Sequence, residues 1–405
     1  MVIADCGHNK KKKTLEVLLQ EVNRRHVRIK KNDRHINNSI LNSVLDRLLE
    51  IMRKGDALFN SMKPKLEYLG SYFDGLRVGE PTEYDINVIL TIHMDYDKII
   101  LDASETQHGY TAIKMPTEFR RLSKTPATAV KGFKDTELWC NQHYRLSVKK
   151  FKSWMQGVVD TALNTLPMTE DRRRLLKVEN HYYRIDFKTS GPANTITIYL
   201  DNVNVIDVDL VPTLLFKLPK MPIQSKIDFT RVQKTDLTSY FAVPKPSDDD
   251  FSWRLAFPYQ ERYYMNNKDN LKSTLKLLKL LRDMQGFHKL ASYFIKTLFL
   301  WQVVKENSDF WKKKSLSYLF IYMLDKLRNC LVAGNISNFW CSDHNLLEKL
   351  RPQTCQNWAN RLSNIINDLQ QHKVSNPHIV LKYFKYVIQK DKSLQKHEIP
   401  SSTHL

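Results

Sequence analysis

The sequence predicts an α+β fold in two lobes, a strand-bearing lobe followed by an all-helical one. Three observations carry that expectation. From residue 68 to about 216, runs rich in β-branched and aromatic residues alternate with helical stretches. After Phe251 the strand signal fades, and apolar residues recur at helical spacing. A chain of 405 residues is also long enough to build two cores.

In chain order, residues 1–35 form a basic N-terminal segment. It opens on a tail ending in Lys10-Lys11-Lys12-Lys13, and residues 14–34 can form a helix that runs into Arg24, Arg25, His26, Arg28, Lys30, Lys31 and Arg34. Residues 36–216 form the strand-bearing core. It begins with a long amphipathic helix whose stripe is Ile36, Ile40, Leu41, Val44, Leu45, Leu48, Leu49 and Met52, stopped at Gly55. Strands are expected at 84–93, 182–188, 195–200 and 204–211, with helices around 139–165 and 168–177. Ser190-Gly191-Pro192 fits a hairpin turn between the second and third of these strands. Residues 217–250 hold several prolines and read as a linker or crossover. Residues 251–405 form the helical lobe, with helices at 268–285, 287–305, 313–332, 343–350, 353–371 and 376–390.

Composition narrows the function. The hydrophobic share of 42% is that of a globular chain. No apolar run reaches the roughly 18 residues a membrane span needs. The first residues lack a signal-peptide apolar region, and five scattered cysteines make no disulfide framework. A reducing cytoplasmic setting is expected, with the nucleus as the alternative. Against 43 acidic residues stand 63 Lys and Arg, a net charge of +20. That excess points to a polyanionic partner, nucleic acid above all, bound in a salt-sensitive way.

The chemistry lies in two short segments. Leu69-Gly70-Ser71 reads as a turn that lets a phosphate approach the backbone and adds a hydroxyl donor. Glu83-Tyr84-Asp85-Ile86 then reads as a strand with Glu83 and Asp85 on one face. Carboxylates held that close repel unless a cation sits between them. Mg²⁺ or Mn²⁺, which take oxygen ligands and bridge to phosphates, suit the pair. A second acidic strand holds Asp207 and Asp209 on one face, and Asp209 is the favoured third ligand. Three carboxylates holding two ions about 4 Å apart suit nucleotidyl transfer.

Several segments together carry a family resemblance. They are LGS with EYDI, FKTSGPANTITI (187–198), NVIDVDLVP (204–212), WRLAF (253–257), TLKLLKLLRDMQ (274–285) and ASYFIKTLFLW (291–301). Their order resembles that of cyclic GMP-AMP synthase and its animal relatives, the cyclic GMP-AMP synthase-like receptors of the male-abnormal (Mab) domain family. The resemblance runs from about Ile36 to about Leu369. It implies a polymerase-β-like nucleotidyltransferase lobe with a mixed, twisted sheet and a long spine helix, plus the helical lobe. It also implies that ATP and GTP are joined into a cyclic dinucleotide once a nucleic acid binds, in innate antiviral signalling.

Residue by residue, the resemblance assigns Gly70 and Ser71 to the loop that holds a triphosphate. It makes Glu83, Asp85 and Asp209 the metal-binding, catalytic carboxylates. Arg254 becomes a nucleobase contact, Lys279 a lysine near the phosphates, Ser292 a phosphate contact and Tyr293 a stacking ring. Without the resemblance, Lys272, Lys276 and Lys279 read as a solvated face and Tyr293 as a core aromatic. Ala256 stands where the vertebrate enzyme has a base-reading serine, so base choice stays open. Between Phe257 and Leu271 there is no Cys or His, so the zinc-binding insertion of the vertebrate enzyme is missing and no structural zinc is expected.

Relatives without that insertion resemble sensors of double-stranded RNA, so RNA is the expected activator and double-stranded DNA the less favoured one. An RNA-induced oligomer is compatible with this. Candidate duplex contacts are the cluster at 24–34, then Lys149, Lys150 and Lys152, and Arg172, Arg173, Arg174 and Lys177. Two other readings stay open: a catalytically inactive scaffold or nucleic-acid-binding protein, and a linear-product enzyme such as an oligoadenylate synthetase or poly(A) polymerase.

Overall fold

The computed structural model describes residues 13–27, 31–78, 83–92, 95–117, 139–190, 193–201, 204–245 and 247–384. The side chains of residues 31–36, 83, 189–190, 193–194, 269 and 308 lie outside that description. The fold is α+β, and the chain divides into two compact units. One holds residues 29–266 and 337–344, the other residues 1–28, 267–336 and 345–405.

The first unit is built on a sheet of ten strands among the described residues. They are β1 (Lys65–Tyr68), β2 (Glu83–Leu90), β3 (Ile100–Asp102), β4 (Tyr110–Lys114), β5 (Arg174–Val178), β6 (His181–Ser190), β7 (Ala193–Tyr199), β8 (Val205–Lys217), β9 (Ser239–Val243) and β10 (Ser252–Ala256). The order is β3-β4-β10-β9-β8-β7-β6-β5, with β2 parallel to β8 and β1 antiparallel to β2. Strand β8 alternates, with Ile206, Val208 and Leu210 buried and Asp207 and Asp209 on the other, half-buried face. On β2, Tyr84, Ile86, Val88 and Leu90 are all buried. One face of this strand pair is therefore core and the other is free for chemistry.

Helix Lys31–Gly55 buries Leu41, Val44, Leu45, Leu48, Leu49 and Met52 of the expected stripe, with Ile40 half-buried and the side chain of Ile36 outside the described residues. It packs with helix Val148–Asn164. Trp253 on β10 is fully buried, its Nε1 donates to the Leu146 carbonyl at 3.0 Å, and its ring meets Phe151 edge-on. Trp253→Ala is expected to cost about 3–5 kcal/mol, from the cavity and the lost hydrogen bond. Urea unfolding would read it, and a loss below about 1 kcal/mol would mean this region is not packed as described.

Several sequence expectations are corrected here. Residues 168–177 are not a helix. Their end is strand β5, and Glu179 at φ 51° turns the chain back so that β5 pairs with β6. Residues 139–147 are not helical either, because Leu146 N donates to the Ile113 carbonyl and Ser147 N to that of Trp139, which ties the segment beside β4. Residues 217–250 contain helix Phe229–Gln233 and strand β9, whose Tyr240, Phe241 and Ala242 are fully buried. Prolines on either side of this short strand made it look like a linker. Residues 251–266, grouped with the helices on sequence, run as β10 and helix Pro258–Met265 within the sheet-bearing unit. The hairpin expected at 190–192 joins β6 to β7 with Ser190 opposite Ala193, while Gly191 and Pro192 themselves lie outside the described residues.

The second unit is helical. Its helices are Asp269–Met284, Ser292–Lys305, Ser308–Lys313, Leu316–Val332 and Pro352–His372, then a 3₁₀ segment Pro377–Phe384. The segment at 343–350 is a series of turns, not a helix. The Asn345 side chain accepts from Ile336 N and Leu347 N and donates to the Gly334 carbonyl, so it competes with helical pairing. Helix Leu15–Val22 belongs to this unit, with Leu15, Leu18, Leu19 and Val22 buried. It stops short of the helix expected over 14–34, passing into a π-helical turn Asn23–Val27. Its Glu16 carboxylate accepts from Leu316 N and Ser317 N at 3.2 and 2.7 Å and so caps helix Leu316–Val332.

Candidate active site

Parallel pairing of β2 with β8 sets Glu83 opposite Asp207 and Asp85 opposite Asp209. Partners in register on neighbouring strands share a face and lie about 4.8 Å apart. Asp85 and Asp209 therefore stand side by side, although nothing local in the sequence links them. Thr195 on β7 faces Asp209 from the other edge, and its hydroxyl donates to Asp209 Oδ1 at 2.6 Å. Thr197 does the same for Asp207 Oδ1, also at 2.6 Å. Each aspartate on β8 is thus held by a threonine, which fixes one oxygen and leaves the other free. The side chain of Glu83 lies outside the described residues.

The turn expected to hold phosphate borders this acidic face. Gly70 has φ 84°, a conformation that favours glycine. A Cβ added there would lie 2.9 Å from Asp85 Oδ2 and 3.2 Å from Asp85 Cβ. Gly70–Phe73 forms one short helical turn, closed by Asp74 N donating to the Gly70 carbonyl and Leu76 N to that of Ser71. Tyr72 anchors the turn to the long helix, since its hydroxyl donates to Asn38 Oδ1 at 2.6 Å and its ring packs edge-on against Tyr84.

Asp85 is open to solvent on one side, yet protein packs around it. The partial loss of hydration raises its pKa, Lys245 opposes the rise, the Asp209 charge adds to it, and Arg77 opposes it. This is a carboxylate whose surroundings favour neutralising its charge. An all-oxygen donor set of this kind fits a hard divalent cation. Among the described residues, no group of three or more His, Cys, Asp or Glu is placed to hold a metal.

Residues 72–267 match the Mab-21 protein nucleotidyltransferase domain and residues 270–364 the Mab-21 protein HhH/H2TH-like domain. A protein of Aethina tumida named cyclic GMP-AMP synthase-like receptor is 33% identical over 374 residues, 91% of each chain. The chain belongs to the cyclic GMP-AMP synthase-like receptor family. Proteins of the same name from Trichogramma pretiosum and Tribolium castaneum are 32% and 31% identical. They cover 88% and 92% of this chain, and the matches span 73% and 94% of their own lengths. The chain is accordingly a nucleotidyltransferase-domain protein, and nucleotidyltransferases generally use divalent ions and nucleotide substrates. No helix among the described residues is long and apolar enough to cross a membrane.

The other residues that the sequence resemblance singled out divide between the units. Arg254 is half-buried on β10, opposite Val243 on β9 and Tyr110 on β4. Lys279, Ser292 and Tyr293 belong to the helical unit. Lys279 is only 7% exposed, whereas Lys272 and Lys276 are half-buried, so the three do not form a solvated face. Ser292 accepts from Arg282 Nη1 at 2.8 Å, and Tyr293 is half-buried.

Sequence reading missed Thr195, Thr197, Lys245 and Arg77. The threonines carried a signal, because Thr195-Ile196-Thr197 has the same alternate spacing as Asp207-Val208-Asp209 on the next strand of the meander. Lys245 lies in the proline-bounded stretch and carried none. Of the basic candidates, Lys149, Lys150, Arg172 and Lys177 are exposed. Lys152 differs from its neighbours, as burial and then the Lys245 charge lower its pKa. Arg173 stacks over Tyr199 and pairs with Asp171, and Arg174 donates to Asn164 Oδ1. Arg24 and Arg25 are exposed, Arg25 pairing with Glu21, while Arg28 and Lys30 lie outside the described residues.

Proposed function

We propose that this protein senses double-stranded RNA and joins ATP and GTP into a cyclic dinucleotide of the cyclic GMP-AMP type, in cytoplasmic antiviral signalling. The observation that carries the reading is the register that sets Asp85 beside Asp209, with Gly70 against Asp85. Glu83, Asp85 and Asp209 are the residues that would hold Mg²⁺ or Mn²⁺. When bound, such ions supply activation of the attacking hydroxyl and neutralisation of the leaving pyrophosphate.

The chain's own residues do the rest. Thr195 orients Asp209, and Gly70 lets the backbone and the Ser71 hydroxyl come close to a triphosphate. In this reading Arg254 contacts a nucleobase, Lys279 and Ser292 serve the phosphates, and Tyr293 stacks on a base. One of the three carboxylates is suited to take the proton of the attacking hydroxyl. Tyr72, linked to Asn38, connects the long helix to the catalytic turn, so a duplex lying along that helix has a route to the 70–79 loop.

The test is to incubate the purified protein with labelled ATP and GTP, Mg²⁺ or Mn²⁺, and either duplex RNA or duplex DNA. A phosphatase-resistant product with RNA alone is expected. A product with DNA alone would overturn the choice of activator, and none under any condition would favour the inactive scaffold. Lys149→Glu with Lys150→Glu is expected to weaken duplex binding and reduce its salt slope by about 2. An unchanged slope would remove these lysines from the interface.

A further inference from the structure

The segment that carries Gly70 is held at both ends by one side chain with no place in the chemistry above. Arg262, on helix Pro258–Met265, reaches it from the far end of the sheet-bearing unit's sequence. Its Nε donates to Asp74 Oδ1 at 2.6 Å, just after the turn. Its Nη2 donates to the carbonyl of Tyr68, just before the turn. Its Nη1 lies 3.8 Å from Glu67 Oε1. Asp74 is a buried carboxylate, 7% exposed at its side chain, so this ion pair is poorly screened.

We infer that Arg262 is a positioning residue that clamps the entry and exit of the Gly70-Ser71 turn and so sets how closely that turn approaches Asp85. The inference rests on the reading of Asp85 and Asp209 as the metal-holding acids. Tyr68 is the last residue of β1 and pairs with Ile86, the neighbour of Asp85. Fixing the Tyr68 carbonyl therefore fixes the start of the turn relative to the acid. Fixing Asp74 does the same for its end, since Asp74 N also closes the turn onto the Gly70 carbonyl. A planar guanidinium can hold two acceptors at a set angle, whereas an ammonium holds them as a point charge. The helix that carries Arg262 follows β10 directly, so the clamp also joins the strand bearing Arg254 to the turn bearing Gly70. Burial and then the Glu67 charge push the Tyr259 hydroxyl up to about 12, so Tyr259, three residues before Arg262, also lies close to the end of β1.

The test compares Arg262→Gln, Arg262→Lys and Asp74→Asn with the full-length wild type. Amide hydrogen exchange over residues 70–76, measured without nucleotide, is expected to speed up at least about 10-fold in Arg262→Gln. Product formation should fall about 10- to 100-fold in kcat, with a smaller change in KM, as for a displaced reacting group. Arg262→Lys should recover only part of both, and the Asp74→Asn and Arg262→Gln effects should be non-additive. Unchanged exchange in Arg262→Gln, full recovery with lysine, or additive effects would each overturn the clamp. Exchange spread over the whole unit would also overturn it, since that marks general loosening. If the wild type makes no product, the proposed function fails, and exchange over 70–76 still decides the clamp.

Discussion

Asp85→Asn is expected to abolish nucleotidyl transfer, by more than about 100-fold, while the protein stays folded and metal-free melting is no lower than wild type. The two halves of this expectation have one cause. The folded pKa of Asp85 is raised, so the folded state binds more protons than the unfolded chain between the ordinary value of 3.8 and the folded one. Stability is therefore lost as pH rises through that window, and at neutral pH the ionised carboxylate is a net cost to the fold. Asparagine keeps the shape and removes the charge. A bound cation would offset the same cost, so Mg²⁺ or Mn²⁺ should raise the melting temperature of the wild type and not of the variant. Retained synthesis would overturn the metal assignment. A melting temperature lower by more than about 5 °C would make Asp85 structural instead.

Gly70→Ala is the second large effect. A left-handed residue with a side chain costs about 1–2 kcal/mol by itself. Here the new methyl would also lie 2.9 Å from Asp85 Oδ2, a distance that cannot persist. The acid or the turn must move, and either displaces a reacting group, so activity should fall about 100-fold. Gly75 is the control. It has φ 73° but nothing within 4 Å of an added Cβ. Gly75→Ala should show the conformational cost and keep most of the activity. Equal losses in the two variants would refute the close-approach argument.

Much of the fold was legible because its signals are local. The stripe on helix Lys31–Gly55 and the alternation on β8 each repeat within a few residues. The errors came where tertiary contacts decide a short segment. Strand β5 reads Arg-Leu-Leu-Lys-Val, a mix of basic and apolar residues that suits a helix equally well, and only its pairing with β6 makes it extended. Strand β9 is five residues between prolines, too short to outweigh them. Asn345 breaks an expected helix because its side chain finds backbone partners that the sequence does not reveal.

By itself, the sequence determined which residues could do the chemistry and, through its motifs, the family to which the chain belongs. Glu83, Asp85 and Asp209 stand on strands whose alternation points acids one way and apolar residues the other, a property of each strand alone. The tertiary structure decided which acids meet. Parallel register brings Asp85 to Asp209 and Glu83 to Asp207, and the hairpin partner brings Thr195 and Thr197 to the same two aspartates. It also decided that Gly70 touches Asp85, that Arg262 spans the turn, and that helix Leu15–Val22 packs in the helical unit. The reason is physical. Periodicity is written in neighbouring residues, whereas register and approach are set by burying the other face of each element against segments far away in the chain.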